Sequence, residues 1–286
     1  MLFRRGKKYI LGLLFAVFSS ISWGTADYFG GVASRTIDSL ITVLLSQFAA
    51  MVGLLAIVTA TGGLTLKGAL INAVIAGIVG PLSLILYYRA LAIGPMGIVG
   101  PINATSGAVP VIYGFAIGES VSAIQWLGIV GCIVGVAIVS SSHITSPHKE
   151  DLRVVAMSVA SALGFGVTYI FLARSASAGT IDTLTIQRIT NVLLIGSLLL
   201  IGKKKLKFNG LRGGIFLALI GILDVAANGS YIIAATKSSI AIAGAIGSTY
   251  PLTTTALAAK YSKERLSMVQ YAGVIVTLAS IVTTSI

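Results

Sequence analysis

The sequence is poor in charge. Only 10% of its 286 residues are Asp, Glu, Lys or Arg, where a water-facing domain uses about 25% to cover its surface. That scarcity excludes a soluble enzyme. Cysteine occurs once, as Cys132 in an apolar run, so no internal disulfide and no thiolate cluster for a metal can form. The two histidines, His143 and His148, share one polar stretch, and none lies in an apolar run. This excludes a zinc protease built on a His-Glu-x-x-His helix and a serine–histidine hydrolase acting inside a bilayer. Aspartyl chemistry needs two carboxylates at one site. Asp27 and Asp224 are the only candidates, and their sequence surroundings look unrelated. No glycine-rich phosphate loop is present, which argues against ATP-driven work by this chain alone. The sequence thus calls for no metal, no cofactor and no enzymatic activity.

What is present is apolar. Hydrophobic residues make up 56% of the chain, mean hydropathy is +0.98, and there are 33 glycines. This is the composition of an all-α integral membrane protein, in which small residues let helices approach closely. About ten runs reach the roughly 20 residues that a spanning helix needs: 9–32, 38–59, 69–91, 96–116, 123–142, 153–174, 182–201, 213–235, 240–259 and 268–286. The basic start MLFRRGKK resembles a signal-peptide n-region, but the run behind it is too long for a cleaved signal and reads as a first spanning helix. The net charge of +12 sits in connections between runs, where it meets lipid headgroups and sets orientation; no nucleic-acid partner is implied.

The chain repeats itself at an offset of about 145 residues. GESVSAIQWLGIVGCIVGVAIV (118–139) matches KERLSMVQYAGVIVTLASIVTT (263–284), pairing Glu119 with Glu264 and Gln125 with Gln270. Ser122/Gln125 and Ser267/Gln270 read as capping boxes that start the last helix of each half. The first helices match more weakly, SISWGTADYF (20–29) against SALGFGVTYI (161–170). We therefore expect a first repeat over 1–142, a linker over 143–152 and a second repeat over 153–286. Five helices per repeat invert the second half relative to the first. Such inverted repeats hold their site near the midplane.

Charges inside spans cost at least about 2.5 kcal/mol near the helix centre and mark candidate sites. Asp224, Asn228 and Tyr231 follow at i, i+4 and i+7 and share one helix face. They are expected to form a cavity wall, with Asp224 binding a cation, a substrate amine or a proton. The competing reading is an interhelical bond that merely holds the helix. Arg188 is either the counter-ion of Asp224, a ligand for a substrate carboxylate, or a snorkelling side chain at the interface; snorkelling is favoured. Asp27 lies one turn after Trp23, near the far end of its helix, where it reaches either interfacial water or a site. Arg89 closes its helix and is expected at the headgroups. Tyr87 and Tyr88 point to different faces, so only one can line a cavity together with Ser83. Pro101 and Pro110 are expected to interrupt the fourth helix around Asn103, Thr105 and Ser106; GSTYP (247–251) occupies the corresponding place in the ninth, with Tyr250 opposite Thr105.

The Trp23–Gly24 pair in the first helix, the glutamate before the last helix of each half and the five-plus-five repeat resemble the drug/metabolite transporter superfamily, in its ten-helix EamA type. The second half departs from the pattern, with Lys260 and Tyr261 flanking the place where a Gly-Glu pair is common. The resemblance implies a central cavity lined mainly by helices 1, 3, 4, 6, 8 and 9. It implies a secondary transporter, expected to export a small, amino-acid-like metabolite across the plasma membrane by alternating access. A channel, or a sugar or nucleotide-sugar carrier, is the alternative. The expected binding residues are Asp224, Asn228, Tyr231, Trp23, Asp27, Tyr87, Asn103, Ser106, Tyr250 and Arg188, with protons as a candidate coupling ion. One chain holds both halves, so a monomer suffices. Both termini are expected to be cytoplasmic, although that choice puts seven basic residues in the inside connections and twelve outside.

Overall fold

The computed structural model describes residues 2–68, 70–94, 96–141, 149–203, 210–261 and 267–283. Its helices are α1 (Leu2–Ser34), α2 (Ser39–Ala60), α3 (Leu70–Ile93), α4 (Met96–Ala104), α5 (Ala108–Ala116), α6 (Ala123–Ser141), α7 (Lys149–Arg174), α8 (Thr180–Ile201), α9 (Gly210–Lys237), α10 (Ile240–Gly247), α11 (Tyr250–Tyr261) and α12 (Met268–Thr283). Among the described residues, six helices are long and apolar enough to cross a membrane: Lys8–Ser34, Ser39–Ala60, Leu70–Ile93, Leu152–Ala178, Thr180–Ile201 and Arg212–Lys237. The polar connection with His143 and His148, and Glu264, lie outside the described residues.

The helices expose large apolar side chains and turn many of their polar ones inward, among an apolar core. On α1 the exposed residues Ile10, Leu14, Phe18 and Ile21 form one stripe, while Ser19, Trp23 and Asp27 on another are buried. Spacings of three and four residues keep each set on one face. Several inward hydroxyls are satisfied locally or across helices. Ser83 donates to the Val79 carbonyl at 2.8 Å, and Ser19 donates to the Ala227 carbonyl at 2.9 Å.

Three neighbouring pairs of helices pack antiparallel. Ser19 meets Ala227 and Gly12 meets Lys237, which aligns α1 against α9. Gly164 lies on Ser83 and Gly94 on Val154, which aligns α7 against α3. Gly131 lies on Ser280 and Gly135 on Thr277, which aligns α6 against α12. Tyr88 packs on Gly30, with its hydroxyl 3.4 Å from the Ala26 carbonyl, and Leu91 packs on Gly31, so α3 runs parallel to α1.

Two helices are interrupted at corresponding places. A 3₁₀ turn at Thr105–Gly107 separates α4 from α5, and Ser248 and Thr249 separate α10 from α11. The breaks touch, because a side chain at Gly107 would meet Ser248 Oγ. Pro110 and Pro251 fall in the first turn of the segments after the breaks, where a helix has no intrahelical use for their missing amides. The expectation that Pro101 interrupts its helix is corrected, since α4 continues through it.

The first capping box forms as expected. Ser122 N donates to Gln125 Oε1 at 3.0 Å and Gln125 N to Ser122 Oγ at 3.2 Å. Glu119 does a related task across the halves. Its carboxylate accepts from Ile240 N at 2.8 Å and Ala241 N at 3.0 Å, and Ser239 Oγ accepts from Ile242 N at 3.1 Å. Three orphan amides at the start of α10 are thereby paired, with a negative charge at the positive end of the helix. Hydrogen bonds to a charged group contribute about 1.5–3 kcal/mol. Glu119→Ala is expected to lower the thermal midpoint in detergent accordingly, and Glu119→Gln to recover about half of the loss. An unchanged midpoint in Glu119→Ala would show that the tie contributes nothing.

Candidate functional site

A cavity with about 470 Å³ of empty space, its mouth included, lies at mid-span among seven of the helices. Its polar wall is built around one ion pair. Arg188 Nη2 lies 2.9 Å from Asp224 Oδ2. Gln47 Nε2 donates to the same carboxylate oxygen at 3.0 Å, and Asn228 Nδ2 lies 3.4 Å from the other.

Arg188 is also held from behind. Pro81 has no amide, so the Gly77 carbonyl four residues earlier lacks its helical donor. The Asn191 side-chain amide stands beside that carbonyl at 2.7 Å and beside Arg188 Nη1 at 3.2 Å. The favoured expectation for Arg188, snorkelling to the interface, is therefore corrected: the residue is 1% exposed. It is the ninth residue of α8 and pairs with a carboxylate rather than stretching toward water.

Of the two readings left open for Asp27, interfacial water or a site, its place in the structure fits the second. α1 runs on to Ser34, seven residues beyond it. Asp27 is 6% exposed and lines the same cavity as Asp224 and Arg188. The two carboxylates thus share a site, contrary to the expectation of unrelated surroundings. They do not act as a bare acid pair, because Asp224 already has Arg188.

The aromatic wall is layered. Trp23 and Tyr250 line the cavity, joined by Phe165 and Tyr169 of α7. Trp23 stacks on Tyr169 with ring centres 4.8 Å apart. Tyr231, expected on the wall, stands one layer behind at 5.6 Å from Trp23 and 5.2 Å from Tyr169. Tyr87 is also behind the wall, edge-on to Phe165 at 5.7 Å and to Tyr250 at 6.3 Å. Tyr88 turns to Gly30, so neither tyrosine of that pair lines the cavity; Gly80, Pro81 and Leu84 of α3 do. Asn103 is buried against Ser161 and the Val99 carbonyl, 3.1 Å from the latter. Ser106 sits buried in the 3₁₀ turn. Neither reaches the cavity. Two polar atoms of the wall residues, Gln187 Oε1 and Arg188 Nε, are buried without a hydrogen-bond partner among the described residues.

Of the ten residues expected at the site, Asp224, Asn228, Trp23, Asp27, Tyr250 and Arg188 line the cavity, and Tyr231, Tyr87, Asn103 and Ser106 do not. The wall also differs from the helix set that the resemblance implies. The fourth helix is absent from it, and the second and seventh contribute Gln47, Gln187, Arg188 and Asn191. Gln47 was missed altogether, although a glutamine in the middle of an apolar run is a signal by the same cost argument as a charge. Thr168 occupies the place of Asp27 in the matched segments 20–29 and 161–170, so the repeat itself could have found it.

The sequence model of the EamA-like transporter family matches residues 10–141 and again residues 152–286. A solved crystal structure that is 14% identical has a TM-score of 0.76 over 97% of this chain and 96% of that one, which shows a shared fold. No curated protein matches the chain.

Proposed function

Because the chain belongs to the EamA-like transporter family and is a multi-pass membrane protein, we propose that it is a secondary transporter that exports a small, amino-acid-like metabolite across the plasma membrane by alternating access. The carrying observation is the mid-span cavity that places Asp27 of one half beside Asp224 and Arg188 of the other. A rocking of the halves would expose that cavity to each side in turn. Its opposed charges and aromatic faces suit a zwitterion better than a polyphosphate, which would call for several converging cations. Asp224 and Arg188 bind or position the polar end of the substrate; Trp23, Asn228 and Tyr250 set selectivity. Tyr231, Tyr87, Asn103 and Ser106 support the wall from behind.

The proposed architecture is ten spans in two inverted five-helix repeats, 1–142 and 153–286, joined by a linker over 143–152. Its support is directional. The first helix of the second half, α7, runs antiparallel to α3, which is parallel to α1. Exchanging the halves also maps the α1–α9 pair onto the α7–α3 pair. An even number of spans puts both termini on one side, and the basic residues Arg4, Arg5, Lys7 and Lys8 before the first span favour the cytoplasm. Both halves reach the cavity from one chain, so a monomer suffices, and protons are the proposed coupling ion.

The test is counterflow in proteoliposomes loaded with a pooled metabolite mixture, with a pH gradient imposed. Saturable exchange in the wild type that Asp224→Asn abolishes or uncouples from pH is the expected result. Equal exchange by a monodisperse Asp224→Asn protein would remove Asp224 from the site. Ion conductance without saturable exchange would replace the carrier reading by a channel.

A further inference from the structure

We infer that Asp27 is a single exchange site, holding a proton when the cavity is empty and the ammonium group of the substrate when it is loaded. The inference rests on the transporter reading above and names the chemistry of its substrate, an organic cation or the amino end of a zwitterion.

The argument begins with charge balance. Three ionisable side chains with full charges line the cavity: Asp27, Asp224 and Arg188. Arg188 is engaged by Asp224, which also receives the Gln47 and Asn228 amides. Asp182, the other buried acid among the described residues, is bonded by the Thr65 amide at 3.0 Å. Asp27 is different: no cation and no hydrogen-bond donor among the described residues pairs with it. The titratable groups around it are Asp224 from α9, Tyr87 and Tyr88 from α3, Tyr169 from α7 and Tyr250 from α11. None of them supplies a positive charge. With all three cavity groups ionised, one negative charge remains uncompensated inside the membrane, a state that costs several kcal/mol. A proton or a ligand cation must neutralise it.

The surroundings select an ammonium for the loaded state. Trp23 stands one turn before Asp27 on the same helix face, and Tyr169 and Tyr250 line the same cavity. Aromatic faces attract organic cations, most strongly where water is excluded. The matched position in the second half is Thr168, which carries no charge, so the site is single and the exchange is one for one. The proton bookkeeping closes. On the open side the carboxylic acid of Asp27 gives its proton to water, and the carboxylate takes R–NH₃⁺. On the other side the ammonium leaves and a proton from water replaces it. One positive charge crosses in each direction.

The test uses the purified full chain in weakly buffered detergent with a pH indicator. The probes are phenethylamine and isoamylamine, each compared with its N-acetyl derivative. At least one amine is expected to bind and release about one proton per chain, with apparent affinity falling about tenfold for each pH unit on the acid side. The N-acetyl derivatives are expected to release none. Asp27→Asn should abolish the release, and Asp27→Glu, which keeps the carboxyl group, should restore it; size-exclusion profiles confirm that both variants are folded. Absence of release from both amines, or undiminished release in Asp27→Asn, would overturn the inference. Saturable counterflow that Asp27→Asn leaves unchanged would also overturn it while the transporter reading stands. Conductance without counterflow would instead remove that reading.

Discussion

Arg188→Met is expected to cost about 3–5 kcal/mol of stability, because it leaves the Asp224 carboxylate in the membrane interior without its cation. The loss is expected to appear as a lower thermal midpoint in detergent and a lower yield of monodisperse protein. The informative comparison is the double variant Arg188→Met/Asp224→Asn. A buried ion pair is weak evidence for stability in itself, since two neutral groups of similar size often serve as well. The double variant should therefore return close to the wild-type midpoint. It should not regain counterflow, because the cavity has lost the charges that face the substrate. If the two single effects simply add in the double variant, the residues are not coupled, and the 2.9 Å contact is not the interaction that holds α8 against α9. Recovery of counterflow together with stability would show that the pair is structural.

Gly24→Ala is expected to disable the protein with the addition of one methyl group. A β-carbon at Gly24 would stand 2.3 Å from the Tyr250 carbonyl oxygen and 2.5 Å from Thr253 Cβ. Neither atom belongs to the flexible end of a side chain, so α1 and α11 must separate. Overpacking a close contact costs about 1–3 kcal/mol. Here it would also break the bond from Thr254 Oγ1 to the Gly24 carbonyl, 3.0 Å long. The functional loss should exceed the loss of stability, because Trp23 and Tyr250, the cavity residues on either side of this contact, would both shift. Gly53→Ala on α2 is the control. Nothing lies within 4 Å of its added carbon, and alanine favours a helix over glycine by about 0.5–1 kcal/mol, so that variant should be neutral or slightly more stable. Equal counterflow in Gly24→Ala and Gly53→Ala would show that the α1–α11 contact is not close in the working protein.

The sequence by itself determined the class of this protein. Scarce charge and long apolar runs leave no stable arrangement but helices in a bilayer, because every backbone amide must be satisfied within its own segment. It also determined the helix starts that rest on local chemistry. The Ser122/Gln125 capping box needs only four consecutive residues, and it forms as read. The positions of the two helix breaks were legible to within a few residues from proline spacing and the repeat. The Asp224–Asn228 face was legible from helical periodicity alone, and both residues line the cavity.

Only the tertiary structure decided what each buried polar group meets. A helix face tells which residues point the same way, not how far along the bundle axis the cavity ends. That is why Tyr231, on the correct face, stands one layer too deep. Arg188 was read as interfacial because its distance from the helix end was visible, whereas its meeting with Asp224, 36 positions along the chain, could be named only as an alternative. Gln47 and Pro81 had no visible role, since one acts through a carboxylate 177 residues away and the other through a carbonyl that it leaves free for Asn191. Periodicity and capping are local properties of the chain. The pairing of charges across helices is settled by packing, where the cost of an unpaired charge in the membrane interior selects the neighbour.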